Sequence, residues 1–268
     1  MILILLLIFA AFLADSRFRL VTTEYEVSDP ALPAAFDGFR VVQLSDLHGA
    51  VYGRENSRLL RAVKRAKPDL IALTGDLADE RTKLPVIDGL LKELSGIAPV
   101  FFVSGNHEWS AGLTEALAPM LRGHGVRWLR NEFLPLERDG ARIILAGAED
   151  PNGPADMEKP EALASRLRQQ YPAEFVLLLG HRNDWTEKYP GLPVDLILCG
   201  HAHGGVIRIP GVGGVLGTGR ELFPKHTAGL FRSGDYGMLV SRGLSGPTAG
   251  IPRLFNNPEL VAVTLRAD

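Results

Sequence analysis

The stretch "LILCGHAHGGVIRIP", residues 196–210, joins a strand-like apolar segment to two histidines. The segment ends at Gly200, and His201 and His203 follow it directly. Side chains two positions apart in an extended segment point the same way, so both imidazoles can reach one site. A histidine at a strand end is ordinary, and the pair gains meaning only if other strands end in the same way.

Four further apolar segments end in Asp, His or Asn, usually beside a glycine. They are RVVQL (40–44), LIAL (70–73), VFFV (100–103) and FVLLL (175–179), which lead into Asp46 and His48, Asp76, Asn106 and His107, and His181. In open α/β sheets, ligands bind beyond the carboxyl ends of the strands. We therefore expect these side chains to share one site with His201 and His203.

The order of the apolar segments predicts the fold class. Amphipathic stretches such as 56–67 lie between the early segments, with apolar residues recurring on one helical face. Evenly apolar strands that alternate with helices are typical of an α/β fold. Residues 20–268 contain no repeat, low-complexity tract or linker, and we expect them to form one domain.

The composition excludes some classes of function. The 268 residues carry a net charge of −2 and show no groove of basic and aromatic residues, so we expect no nucleic-acid partner. The single cysteine, Cys199, excludes an intrachain disulfide, and its place at the end of an apolar segment predicts a buried small hydrophobe.

The predicted helix at 57–67 has a basic face. A solvated surface is the ordinary interpretation of such a face, and contact with anionic lipid is the alternative. The basic residues are Arg58, Arg61, Lys64, Arg65 and Lys67.

The N-terminus begins with 14 consecutive apolar residues, "MILILLLIFAAFLA". A helix of this length measures about 21 Å, short of the roughly 30 Å hydrocarbon core. The length suits the apolar part of a signal peptide, but no positively charged segment precedes it. We interpret residues 1–19 as a membrane anchor or signal segment and expect membrane association through residues 1–14. Arg17 and Arg19 mildly favour a cytoplasmic side, while sidedness and cleavage stay open.

The side chains at the strand ends have the chemistry of metal ligands. Two carboxylates, one amide oxygen and four imidazoles suit Mn, Fe, Zn or Co, and argue against a thiolate site or an all-oxygen calcium site. Seven ligands exceed what one ion takes, so two divalent ions with a shared ligand fit better, and their positive charge suits a phosphate ester. Taken singly, each residue is an ordinary turn, cap or surface residue; together they predict a dinuclear centre.

The ordered blocks "DLH", "GD", "GNHE", "GH" and "GHAH" resemble those of the calcineurin-like metallophosphoesterases. The resemblance runs from about residue 38 to the end of the chain. The flanks "FRVVQLSDLHG" and "IPRLFNNPELVAVTL" are similar to a membrane-anchored or exported bacterial phosphodiesterase branch, whose members often begin with a hydrophobic segment. The implied location is the bacterial inner membrane, on a side that stays open.

The resemblance implies a four-layer α/β/β/α sandwich of two mixed sheets flanked by helices. It implies two divalent ions, with Mn, Fe and Zn as candidates, and His107 as proton donor or charge stabiliser for the leaving oxygen. The implied ligands are Asp46, His48 and His203 for the first ion, Asn106, His181 and His201 for the second, and Asp76 as the bridge.

Some residues depart from the family pattern or stay undecided. "GHRNDW" (180–185) contains His181 but lacks the proline that relatives commonly show soon after this histidine, and "SGPTAGIPRL" (245–254) replaces a more usual leucine-glycine start of that loop. Glu108 is interpreted either as orienting His107 or as an exposed turn carboxylate. His124 matches no ligand block and is expected at the surface, while His226 lies in a loop that can approach substrate.

Several functions fit these residues to different degrees. The leading hypothesis is a phosphodiesterase that cleaves P–O bonds of a small-molecule or lipid-linked substrate by metal-activated hydroxide. An alternative is a pyrophosphohydrolase of the type that acts on UDP-2,3-diacylglucosamine in lipid A synthesis, favoured by the apolar N-terminus and by "ELFPKH" and "AGLFR". A non-catalytic metal-binding scaffold is the alternative from another class. A protein phosphatase and a nuclease are disfavoured.

Overall fold

The structure is a computed structural model that describes residues 1–234, 236–246, 248 and 250–268, without the Ser233 side chain. Its α-helices are α1 (Ile2–Phe18), α2 (Ser57–Ala66), α3 (Leu84–Ser95), α4 (Asn106–Ser110), α5 (Thr114–Gly123), α6 (Pro160–Gln170) and α7 (Trp185–Lys188). Its strands are β1 (Val21–Asp29), β2 (Arg40–Leu44), β3 (Leu70–Thr74), β4 (Val100–Val103), β5 (Arg127–Trp128), β6 (Glu132–Arg138), β7 (Ala141–Gly147), β8 (Val176–Leu179), β9 (Leu196–Cys199), β10 (Ile207–Ile209), β11 (Gly213–Leu216), β12 (Gly229–Ser233), β13 (Tyr236–Val240) and β14 (Glu259–Ala267).

The strands form two large mixed sheets and one small hairpin. The first sheet has the order β1-β14-β2-β3-β4-β5, with β14 antiparallel to β2 and parallel to β1. The second has the order β12-β13-β9-β8-β7-β6, with β12 and β6 antiparallel to their neighbours. The hairpin of β10 and β11 follows the two histidines of the opening stretch.

Three apolar layers hold the sheets and helices together. The middle layer lies between the sheets and includes Val41 and Phe101 from the first and Leu177 and Leu198 from the second. One outer layer packs α2, α3 and α5 on the first sheet, and the other packs α6 and α7 on the second. This arrangement confirms the four-layer α/β/β/α sandwich.

Burial on both faces explains the even hydrophobicity of the central strands. Every residue of β3 is buried, because a helix layer covers one face and the second sheet covers the other. Edge strand β1 differs: it alternates between partly buried and exposed residues and pairs with the last strand, β14. That pairing brings the two ends of the 20–268 segment together and was not predicted.

Within the part of the chain that the structure describes, helix α1 meets the body of the protein through its C-terminal half. The Nδ2 atom of Asn257 donates to the backbone oxygen of Asp15 at 2.8 Å, and the rings of Phe12 and Phe255 lie 4.9 Å apart. From Met1 to Phe9 every apolar side chain is at least 48% exposed. Among the described residues, no helix combines the length and apolar character needed to cross a membrane.

Candidate metal centre

The two sheets present the carboxyl ends of their parallel strands at one edge, and a contact between the sheets fixes this edge. The Nε2 atom of Gln43 on β2 donates to the backbone oxygen of Cys199 on β9 at 2.8 Å. Just beyond both strands, the backbone N–H of His201 donates to the Asp46 carboxylate at 3.0 Å. The loops that follow the two strands are therefore held against each other.

Gly200 makes this close approach possible. A Cβ atom at position 200 would lie 1.9 Å from Oγ of Ser45 and 2.3 Å from Oδ2 of Asp46, which is closer than atoms can come. Gly105 stands in the same relation to Asp76, whose Oδ1 would lie 2.2 Å from an added Cβ. The glycines before His201 and Asn106 are thus required by packing, and not by turn geometry alone.

Asp46, His48, Asp76 and His203 form the first group of ligand atoms, all within 4.8 Å of one another. Nε2 of His48 lies 3.6 Å from Oδ2 of Asp76, and Nε2 of His203 lies 3.5 Å from Oδ1 of Asp46. The Nδ1 atoms face other partners: Asp79 at 3.5 Å for His48 and the Ser245 hydroxyl at 2.9 Å for His203. Such partners fix which nitrogen faces a metal.

The second group shares Asp76 and adds His181 and His201. Nε2 of His181 lies 3.1 Å from Oδ2 of Asp76, 3.1 Å from Oδ1 of Asn106 and 3.2 Å from Nδ1 of His201. Nδ1 of His181 contacts the backbone oxygen of Thr74 at 2.9 Å, which orients the ring. The structure thus brings all seven predicted ligands together in two groups joined by Asp76, while their role as ligands stays a prediction.

The electrostatics of the two groups suit bound cations. Burial acts to lower the pKa of His181, but the neighbouring carboxylates, Asp76 first, outweigh it and raise that pKa to about 10. The imidazole therefore holds a positive charge where a metal would sit. Nε2 of His48 is buried without a hydrogen-bond partner among the described residues, as expected for a ligand atom. This donor set fits two divalent ions.

The groups lie on the floor of an open cavity of about 960 Å³. His107 stands at its side with 38% of its side chain exposed, and its ring centroid is 4.7 Å from that of His48. The backbone N–H of His107 donates to Oδ1 of Asp76 at 2.9 Å, which ties the residue to the bridge between the groups. The described rim includes Glu80, whose Oε2 lies 3.9 Å from Nδ1 of His107.

The interpretation of Glu108 as an exposed turn carboxylate is wrong, and its hydrogen bonds among the described residues do not involve His107. Its side chain is fully buried and accepts hydrogen bonds from the backbone N–H groups of Asp76, Ala78 and Gly105, at 3.0, 3.0 and 2.7 Å. Burial, and then the charge of Asp76, raise its pKa to about 7. Glu108 therefore holds together the loop that contains Asp76 and Ala78 and the loop that begins at Gly105. The carboxylate beside His107 is that of Glu80.

Arg182 and Asp150 were missed as parts of the site. Arg182 makes two hydrogen bonds to Asp150, at 2.6 and 3.0 Å, and its Nη1 lies 3.1 Å from Nε2 of His201. Asp150 follows β7, so the rule that polar side chains follow strands would have found it. Arg182 directly follows His181, and it links the candidate ligand His201 to the end of another strand.

The remaining predictions have mixed outcomes. Cys199 is buried as expected. His124 is partly buried and contacts Asp88 at 2.7 Å, away from the cavity. His226 lies 3.4 Å from the Thr186 hydroxyl and is not among the described residues that line the cavity. In the 245–254 loop, residues 247 and 249 lie outside the described residues.

Comparison with known proteins identifies the family. A family model described as calcineurin-like phosphoesterase matches residues 39–205, which contain all seven candidate ligands and His107. The chain belongs to the calcineurin-like phosphoesterase family.

Relatives of this metallophosphoesterase occur in distant organisms. It is 30% identical over 253 residues to the metallophosphoesterase YkuE of Bacillus subtilis, covering 92% of this chain and 85% of the relative. It is 30% identical over 236 residues to the phosphodiesterase YaeI of Escherichia coli, covering 85% and 82%. A Danio rerio relative named "Transmembrane protein with metallophosphoesterase domain" is 27% identical over 272 residues, covering 91% and 56%.

The high pKa of His181 predicts that metal binding to this metallophosphoesterase releases protons. Below a pKa of about 10 the metal-free imidazole is protonated, and a metal has to displace that proton. The apparent affinity for Mn²⁺ should therefore rise at least about tenfold per pH unit near neutrality. Titration calorimetry in buffers with different ionisation enthalpies measures the released protons directly. An affinity that does not change with pH contradicts the prediction.

Proposed function

We propose that this metallophosphoesterase is a dinuclear metal-dependent phosphodiesterase. The observation that carries the proposal is the meeting of two ligand groups at one shared carboxylate, Asp76, on the floor of an open cavity. Two divalent ions bound there would supply an activated water molecule and neutralise the charge on phosphoryl oxygens. Mn, Fe and Zn all suit the mixed oxygen and nitrogen donors.

His107 is the candidate proton donor. Its imidazole reaches the cavity beside the first group, whereas each of the four candidate ligand histidines has a ring nitrogen within 4.8 Å of the other ligand atoms of its group. An imidazole can carry a proton near neutral pH and deliver it to the leaving oxygen as the ester bond breaks. Glu80 lies beside the ring, with its Oε2 3.9 Å from Nδ1 of His107.

The scaffold alternative is less well supported. A protein that kept the fold without catalysis would be expected to have lost ligands or the proton donor. Here all seven predicted ligands converge, and His107 faces the same cavity. The partners of the ligand histidines, among them Asp79 for His48 and Thr74 for His181, are also in place.

We predict that Asp76→Asn removes both bound metals and the hydrolysis of phosphodiesters. Because both groups share Asp76, the Mn²⁺ content should fall from two ions per chain to less than one. Activity should fall by more than the roughly 10- to 100-fold loss typical of losing an outer-shell partner. Metal analysis and an assay on an aryl phosphodiester measure the two effects. Asp88→Asn, at the surface pair with His124, is the matched control and should retain both. Full metal content with unchanged activity in Asp76→Asn contradicts the proposal.

We predict that His107→Ala slows catalysis without loss of metal. The substitution keeps the backbone N–H that binds Asp76, so the metal content should not change. The rate constant should fall about 10²- to 10⁴-fold for a diester with an alkoxide leaving group, and less for an activated aryl group. Equal losses on both substrates would show that His107 is not the proton donor. His124→Ala serves as the control.

A lipid-linked substrate is the second candidate, and one residue favours it. Gly246 lines the metal cavity and also both cavities between the body of the protein and the last turn of α1. The exposed apolar helix thus borders the loop that forms one side of the metal cavity. A membrane held through residues 1–14 would bring phosphoesters of lipids near this cavity, and a UDP-diacyl sugar is one such substrate.

A comparison of substrates tests this candidate. We expect the full chain to hydrolyse a lipid-linked diester or pyrophosphate in vesicles with a higher kcat/KM than a soluble diester of the same linkage. The expected gain comes from the higher local concentration at the membrane. The chain from residue 20 onward should lose that gain and keep its rate on the soluble diester. Equal rates of the full chain on both substrates would eliminate the lipid-linked candidate and leave the phosphodiesterase proposal intact.

A further inference from the structure

A cleft with three arginines lies at the C-terminal end of α1, outside the metal centre. It consists of two adjoining cavities of about 280 and 220 Å³ that share Arg17, Phe18 and Gly246. Arg253 lines the first cavity and Arg58, at the start of α2, lines the second. We call this feature the arginine cleft.

The arginines of the cleft have no anionic partner among the described residues. The guanidinium carbon of Arg17 lies 5.1 Å from the centre of the Phe18 ring, and Nη2 of Arg58 donates to the Phe18 backbone oxygen at 3.1 Å. Neither contact neutralises charge. Arg19, directly after α1, differs from them because it pairs with Asp15.

Arg253 gives independent evidence for a ligand. Its side chain is 99% buried, and it donates to the backbone oxygens of Gly246 at 3.2 Å and Arg242 at 2.8 Å. Its third nitrogen, Nη1, is buried without a partner among the described residues. A buried guanidinium is costly to keep without a counter-charge, and Arg253 lines the cleft, so an anion bound there would lower that cost.

The surroundings of the cleft indicate the source of that anion. From Met1 to Phe9 the apolar side chains of α1 project away from the body of the protein, while Arg17 and Arg58 lie at its docked end. An apolar surface that ends in a cluster of cations matches the two zones of a bilayer, with acyl chains inside and anionic headgroups outside. At about 25 Å, α1 is shorter than the hydrocarbon core and suits insertion from one side.

We propose that the arginine cleft binds the phosphate headgroup of an anionic phospholipid while the apolar part of α1 enters the acyl layer. Arg253 and Arg58 contact the phosphate from the body of the protein, and Arg17 contacts it from the helix. Because Gly246 lines both the cleft and the metal cavity, a lipid bound in this way sets the metal cavity at the bilayer surface. This binding requires no hydrolysis and is therefore tested apart from the proposed phosphodiesterase activity.

Flotation of the full chain with vesicles tests the proposal. Partition coefficients are measured with phosphatidylcholine alone and with an equal mixture of phosphatidylcholine and phosphatidylglycerol. The paired variant Arg17→Gln with Arg58→Gln changes exposed side chains, so the fold should persist. The matched control is Arg61→Gln with Arg65→Gln, which removes two exposed charges from α2 outside the cleft.

The two pairs of substitutions should have different effects. The cleft variant should lose roughly tenfold or more of the preference for anionic vesicles, and the control pair much less. If both pairs lose the preference for anionic vesicles equally, general surface charge explains the binding, and the assignment of a lipid site to the cleft is wrong. Binding of glycerol phosphate in solution by equilibrium dialysis, dependent on Arg17 and Arg58 but without preference for anionic vesicles, would assign the cleft to soluble phosphate esters and overturn the lipid assignment.

Discussion

The contact between the two sheets beyond β2 and β9 is the constraint on which the site depends. Gly200 lets the second sheet approach until the N–H of His201 reaches the Asp46 carboxylate. Without that approach the loops of the two sheets would stand apart, and His181 and His201 would not meet Asp76. The sandwich thus brings candidate ligands from two sheets together, since neither sheet carries a complete group.

This approach concentrates charge in a buried place. Asp46 and Asp76 are almost fully buried. Their negative charges stabilise the protonated imidazole of His181 and so raise its pKa. Glu108 adds a third buried carboxyl group behind Asp76, held by three backbone N–H groups. Bound cations would balance these carboxylates, so we expect the metals to stabilise the fold as well as to support catalysis.

The sequence predicted the central strands and the seven clustered side chains because both depend on local patterns. Buried strands are evenly apolar, and in four of the five cases a glycine followed by Asp, Asn or His comes after the strand. Contacts between distant segments could not be predicted from these local patterns. The burial of Glu108 depends on the loop of Asp76, and the pairing of β1 with β14 joins segments from the two ends of the 20–268 region. Arg182 was not singled out in the sequence, because its role depends on the position of the distant Asp150.

The central claim is that two metal ions share Asp76. Anomalous diffraction from a crystal loaded with Mn²⁺ tests it most directly, because it locates the ions without reference to any substrate. The account predicts two peaks, about 3.5–4 Å apart, on either side of the Asp76 carboxylate. One peak lies among Asp46, His48 and His203, and the other among Asn106, His181 and His201. A single ion, or two ions that do not share Asp76, would contradict the account.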